Sequence, residues 1–211
     1  MTDNISVSVP VVTVTEMTIP RWMSPFVRQL FAIPTHMTTQ ERLSLFQSAL
    51  NLPNGFHVVE IGSYLGASTA FLAYAALNKS GTIHAIDTWG NQVMGGEGER
   101  DTMNEFLTHT EPFAHFIVTH RGLSVEVARR DAPIPCDMLF IDGDHRLDGA
   151  IADLRCWMPS LKPGGVLAMH DFDQAEVKQA FETVVGSARV GPEAQIVDRL
   201  LLCRPTGFTP A

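Results

Sequence analysis

The chain has 211 residues, of which 45% are hydrophobic and 18% charged, enough apolar material for one buried core with an appended segment and too much for a disordered chain. Its 15 Lys and Arg stand against 23 Asp and Glu, a formal net charge of −8, which argues against a nucleic-acid partner. No stretch approaches the ~18 apolar residues of a membrane helix, the start MTDNIS has no signal-peptide pattern, and Cys136, Cys156 and Cys203 are too widely spaced for a CxxC pair, so a cytoplasmic protein with no membrane partner is expected.

In chain order, Ile5, Val7, Val9 and Val11 alternate with polar residues and Pro10, the pattern of an edge strand or of a loosely held tail. An aromatic and Met-rich stretch follows from Arg21 to Phe31. Thr38 and Glu41 then have capping-box spacing ahead of Leu43, Phe46 and Leu50, which predicts a helix closed by Asn51, Pro53 and Gly55. From His57 short apolar runs alternate with amphipathic segments, the signature of consecutive βα units and a parallel sheet. Strands are predicted at 57–61, 82–87, 115–120, 137–142 and 165–170, with helices near 66–78, 102–109, 124–130 and 147–158. A helix near 174–185 and a final strand near 197–204 complete a doubly wound, Rossmann-like α/β fold with a mostly parallel seven-stranded sheet. The expected organisation is an arm and helical segment at 1–52, a cofactor-binding domain at 53–205 and a tail at 206–211.

The segment Glu60-Ile-Gly62-Ser63-Tyr64-Leu-Gly66-Ala-Ser68 places a glycine-bearing turn between a strand and a helix. Backbone amides and the positive helix end converge at such a turn, so it reads as a cofactor site. The dinucleotide fingerprint needs glycines at 62, 64 and 67. Position 64 is Tyr and Glu60 adds a negative charge, so a cofactor that is cationic and lacks phosphate suits the turn better than NAD(P). Asp87, ending the second strand, can accept both hydroxyls of a ribose.

These residues resemble the class I S-adenosylmethionine-dependent methyltransferases, and more specifically the catechol O-methyltransferase-like and antibiotic-tailoring O-methyltransferase group, over about residues 57–171. The resemblance implies that Gly62, Ser63 and Gly66, with Glu60, Tyr64 and Ser68 of the same motif, hold the methionine part of S-adenosylmethionine, and that Asp87 binds its ribose. It also places Gly122 and Ser124 beside the adenine. The run Leu161-Lys162-Pro163-Gly164-Gly165 is typical of the group and structural in role.

Phe140-Ile-Asp142-Gly-Asp144-His145 and Met169-His170-Asp171-Phe172 each follow a buried apolar run. On neighbouring strands they would surround one cleft with carboxylates and imidazoles, suited to a divalent ion or a general base. Metal-dependent members of the resembled group carry an acid on the fourth strand and an Asp pair on the fifth. Asp142 matches the first, whereas His170-Asp171 replaces the leading carboxylate with His, so Asp142, His170 and Asp171 are the candidate ligands for Mg, Mn or Zn. The group's catalytic Lys corresponds to His145, the candidate base. Alternatives stay open: Asp142 contacting the cofactor amine, Asp144 acting in catalysis or capping the helix near Arg146, and His170 packed as a hydrogen-bonded imidazole. The remaining histidines read as ordinary.

Acceptor specificity is expected from the 21–31 stretch, with Trp22, Met23, Phe26 and Phe31, which serves either as a substrate lid or as a dimer contact or local core. The glycine-rich 90–101 loop with Trp89 at its base is the second candidate. The expected reaction is methylation of a small-molecule hydroxyl. The alternatives are an NAD(P)-dependent oxidoreductase and an S-adenosylmethionine-binding protein without catalysis.

Overall fold

The computed structural model describes residues 25–91 and 98–207. The 5–11 stretch, Trp22, Met23, the side chain of Phe26 and residues 92–97 of the glycine-rich loop lie outside what it describes.

Two helices, α1 (Pro25–Phe31) and α2 (Thr39–Leu50), precede β1 (His57–Ile61), α3 (Ala67–Lys79) and β2 (Thr82–Asp87). The chain continues through α4 (Met103–Thr110), β3 (Ile117–Arg121), α5 (Ser124–Asp131), β4 (Cys136–Ile141), α6 (Leu147–Trp157) and β5 (Leu161–Met169). It closes with α7 (Ala175–Val184), β6 (Gln195–Val197) and β7 (Leu200–Cys203). The capping box expected at Thr38 is formed, and α2 starts where it dictates.

The seven strands lie in the order β3-β2-β1-β4-β5-β7-β6, parallel except for β7, which runs antiparallel to β5 and β6. The doubly wound expectation therefore holds. Alternation along the strands divides the core. Val58, Ile83, Met138, Phe140 and Ala168 face α1, α2 and α3. On the opposite face Val59, Ile61, Leu139, Ile141 and Leu167 meet Trp157 of α6 and Phe181 of α7. Strand order reverses between β1 and β4, and their carboxyl ends open the crevice in which such sheets bind ligands.

Three elements depart from the expectation. The strand predicted at 197–204 is a hairpin that turns at Asp198 and Arg199, with Asp198 at φ 52, a left-handed conformation that Asp tolerates better than most residues. β5 begins earlier, at Leu161, because the Lys162–Gly165 run is accommodated by a register shift between the Cys136 and Met138 pairings. β3 starts at Ile117 because Glu111–Phe116 forms a 3₁₀ turn.

Candidate active site

The turn after β1 is built by close approach. A Cβ on Gly62, at φ +84, would lie 1.9 Å from the Asp142 carbonyl oxygen, so only glycine lets the ends of β1 and β4 meet there. Tyr64 adopts φ 44 in the same turn, a conformation that costs a non-glycine residue energy and needs fixing by its surroundings. They do so: the Tyr64 N–H donates to Asp87 Oδ2 at 2.8 Å, and its carbonyl accepts the Trp89 indole N–H at 3.0 Å.

Asp87 thereby has a second task beside the one expected of it. Its Oδ1 accepts the Trp89 N–H at 2.7 Å, and the Ser63 and Thr88 amides also bond the carboxylate. Burial pushes its pKa up against those backbone bonds. Trp89, expected at the acceptor rim, is fully buried against Phe106 at 4.8 Å between ring centroids. It braces the turn instead.

Beyond the strand ends lies a cleft of about 710 Å³, the size of a small-molecule site. Gly62, Ser63, Tyr64, Ser68 and Asp87 line one side of it, Gly122 and Ser124 a second, and Asp142, Asp144, His145, His170 and Asp171 a third. Two residues of the expected cofactor set are supports and do not line it. Gly66 caps α3, where a Cβ would meet Thr110 Cγ2 at 2.7 Å. Glu60 is fully buried beneath the turn, accepting from Ser63 at 3.0 Å and from Ser68 and Thr69, and burial pushes its pKa up to about 7.

At the carboxyl ends of β4 and β5, Asp142 Oδ1 and Asp171 Oδ2 are each shared by two imidazoles. His170 Nδ1 lies 3.1 Å from the first and 3.3 Å from the second. His145 Nε2 stands 3.5 Å and 3.2 Å from the same oxygens, at ion-pair distance without hydrogen-bond geometry. Burial would lower the His170 pKa, but the charge of Asp142 and hydrogen bonds with Asp142, Asp171 and Glu41 outweigh it and raise it far above the imidazole range. Contact with Asp142 raises the His145 pKa against burial, helped by the charge of Asp171. Burial would raise Asp142, yet the two imidazoles hold it well below the usual carboxylate range.

Ligand atoms about 2.0–2.2 Å from one ion stand roughly 3.0–3.5 Å apart. The Asp142–His170 and His170–Asp171 contacts, 3.1 Å and 3.3 Å, have that spacing, and all three ligand atoms lie within 4.8 Å of one another. The donor set therefore fits a divalent cation. Asp144 does not join this group: its carboxylate accepts the Arg146 N–H at 3.0 Å and pairs with the Arg146 guanidinium, which lowers its pKa. It does not cap α6 either, because Arg146 is the N-cap residue and no side chain bonds the first-turn amides.

Sequence reasoning missed several site residues. Thr35 and His36, in the loop between α1 and α2, line the cleft, with His36 stacked on Tyr64 at 6.0 Å. Arg199, at the β6–β7 turn, donates to Asp171 Oδ1 at 2.7 Å. Asp153 of α6 accepts from the Ser124 hydroxyl and is pushed by burial to a pKa of about 6. Ser124 is thereby tied to α6, and its hydroxyl proton is not available to a ligand. Of the 21–31 stretch, Phe31 packs edge-on to Phe71 at 4.8 Å.

Residues 59–172 match a family model described as a methyltransferase domain. A curated relative, the uncharacterized protein y4gI of Sinorhizobium fredii (strain NBRC 101917 / NGR234), is 29% identical over 122 residues, covering 56% of this chain and 13% of that protein. The chain thus matches a small part of its relative's length. Among solved structures, cofactor-bound Rv0187 from MTB has a TM-score of 0.65 at 17% identity, covering 86% of this chain and 88% of that one. TomG from Streptomyces achromogenes, an O-methyltransferase involved in tomaymycin synthesis and solved in complex with SAM, has a TM-score of 0.60 at 20% identity, covering 84% and 85%. The O-methyltransferase NovP reaches 0.61 at 16% identity, covering 82% of each chain. At these identities the likeness is one of fold.

Proposed function

The chain belongs to the methyltransferase-domain family, and from that premise we propose that it transfers a methyl group from S-adenosylmethionine to a hydroxyl of a small molecule. The observation that carries this reading is one cleft that joins the Gly62–Ser68 turn and Asp87 to His145. Bound S-adenosylmethionine supplies a methyl group already activated on sulfur. The protein's share is to align the acceptor with it and remove the acceptor proton.

Alignment lowers the barrier more than proton removal does, by up to ~7–11 kcal/mol in favourable cases. Gly62, Ser63 and Ser68 cradle the methionine end, Asp87 takes the ribose hydroxyls and Gly122 borders the adenine. His36 stacks on Tyr64 in the wall of the same cleft. His145 is the base: with Nε2 turned to Asp142 and Asp171, Nδ1 takes the acceptor proton as the oxygen–methyl bond forms and the methyl–sulfur bond breaks. The two carboxylates then stabilise the imidazolium.

Asp142, His170 and Asp171 would hold a divalent ion, whose contribution would be to polarise the acceptor oxygen. Two oxygens and one imidazole suit magnesium, with the nitrogen tilting the choice toward manganese or zinc. Chelation should lower turnover and leave S-adenosylhomocysteine affinity unchanged. Full activity in protein proven metal-free by elemental analysis removes the ion from this reading.

Calorimetric titration with S-adenosylhomocysteine, followed by turnover on a panel of phenols and sugars, tests the assignment. Asp87→Ala should weaken binding by about 1.5–3 kcal/mol, the range for hydrogen bonds to a charged group. The upper end is expected because the variant also frees the Tyr64 and Trp89 amides. Tight binding of NAD with no response to S-adenosylhomocysteine would sink the reading. Binding without turnover on any acceptor would instead favour a non-catalytic binding protein.

A further inference from the structure

Glu41 completes the capping box of α2. Its Oε2 accepts the Thr38 N–H at 2.7 Å, while the Thr38 hydroxyl accepts the Glu41 N–H at 3.2 Å. That task needs only a side-chain oxygen, so Gln serves it as well as Glu. Yet Glu41 is fully buried, and a buried carboxylate is costly unless it is paired. The cap does not account for the charge.

The other contacts of Glu41 do. Oε1 accepts the Arg199 N–H at 2.9 Å, and Oε2 lies 3.2 Å from His170 Nε2. The second ring nitrogen of His170, Nδ1, lies 3.1 Å from Asp142 Oδ1 and 3.3 Å from Asp171 Oδ2. An imidazole presents a lone pair on one nitrogen when its proton sits on the other, and a carboxylate on the distal nitrogen fixes both the tautomer and the ring direction.

We propose that Glu41 is a positioning residue for the Asp142–His170–Asp171 centre, reaching from α2 to hold His170 so that Nδ1 joins the two aspartates around a divalent cation. The inference rests on the metal reading above and extends it to a helix outside the 59–172 match. The N-terminal helix is then part of the centre. Its seat is specified at two further points: the Thr38 hydroxyl donates to Asp198 Oδ2 at 2.6 Å, and Arg199 bridges from its Glu41 contact to Asp171.

The test is manganese binding by full-length protein, followed by calorimetry and by the electron paramagnetic resonance of free Mn²⁺. Wild type is compared with Glu41→Gln, whose one amide oxygen keeps the cap, gives His170 Nε2 a neutral partner in place of a charged one and leaves the Arg199 N–H facing an amide nitrogen, and with Thr38→Ala, which loosens the helix start and leaves His170 untouched. Glu41→Gln should bind Mn²⁺ about 10–100-fold more weakly, as loss of an outer partner of a histidine ligand does. Thr38→Ala should lower the melting temperature without changing Mn²⁺ affinity, and S-adenosylhomocysteine affinity should stay within about twofold in all three.

Equal Mn²⁺ affinity in Glu41→Gln and wild type overturns the positioning role and spares the metal reading. Equal weakening in Thr38→Ala also overturns it, because helix docking would then be the cause. A wild-type protein that binds neither Mn²⁺ nor Zn²⁺ removes the metal reading itself, and this inference with it. If Glu41→Gln does not fold, Glu41→Asp replaces it. Drawing the carboxylate back by one methylene should weaken the ion as well, and an unchanged affinity overturns the proposal.

Discussion

At the carboxyl rim His145 and His170 are wedged among Asp142, Asp171 and Glu41, whereas on the flank of the same sheet His57, His84 and His120 touch one another. His57 Nδ1 lies 3.3 Å from His84 Nε2, His84 Nδ1 lies 3.2 Å from His120 Nε2, and His120 Nδ1 ends on Asp131 Oδ2 at 2.9 Å. One proton arrangement satisfies the whole line, each ring donating through Nδ1 and accepting through Nε2. The same side chain is driven in opposite directions. Carboxylates raise His145 and His170, while burial and the neighbouring imidazoles of His120 and His57 lower His84 to about 4. Charge state is set by the neighbours and not by the residue, and only the rim set borders the cleft.

The contrast between rim and flank is most exposed to test at His145. His145→Ala should lower turnover by about 10² to 10⁴ while S-adenosylhomocysteine affinity stays near wild type, because the base acts only during transfer. Since its pKa is raised, the wild-type rate should climb with pH above the ordinary imidazole range as the ring loses its proton. That limb should vanish in the variant. A wild-type rate in His145→Ala, with methyl transfer shown to be rate-limiting, assigns the base elsewhere.

His170 comes next. Its side chain is 1% exposed and faces three carboxylates, so His170→Leu leaves buried negative charge without its partner. Breaking a buried pair from one side costs about 3–5 kcal/mol, which urea unfolding at pH 7 would read. A loss under about 1 kcal/mol would mean that the carboxylates find other partners, with Arg199 the nearest cation.

The rim was readable in the sequence because each of its residues follows an apolar strand directly. Asp142, His145, His170 and Asp171 needed only the βα alternation and the inference that the strands are neighbours. Glu41 was visible as half of a capping box, but nothing in that spacing tells that α2 docks its first turn on the β6–β7 turn. The Asp198-Arg199 turn was itself hidden, since that dipeptide lacks the Asn-Gly or Asp-Gly signal of a tight hairpin. Asp153 lies off the apolar face of α6 and carries no pattern. The imidazole line is a diagonal: His84 pairs in register with Val59 and Val118, so His57 and His120 are each offset by two residues. Reading it requires the order β3-β2-β1, which no local pattern contains.

The smallest effect is expected on that flank. His84→Leu replaces an imidazole that the fold holds neutral, so at pH 8 stability should fall by about 1–2 kcal/mol through loss of its bonds to His57 and His120, and S-adenosylhomocysteine affinity should not change. The pH dependence separates wild type from variant. With a folded pKa of about 4 against an ordinary 6.5, the unfolded chain binds more protons between those values, so wild-type stability falls as pH drops through that window. The full shift corresponds to about 3 kcal/mol, reduced by water at the half-buried ring. Acidification from pH 7 to 4.5 should therefore cost His84→Leu less than wild type, measured as the difference in urea midpoints at the two pH values. Equal losses would show that the His84 ring takes up its proton alike in the folded and unfolded chain, and the contrast between the flank and the rim would collapse.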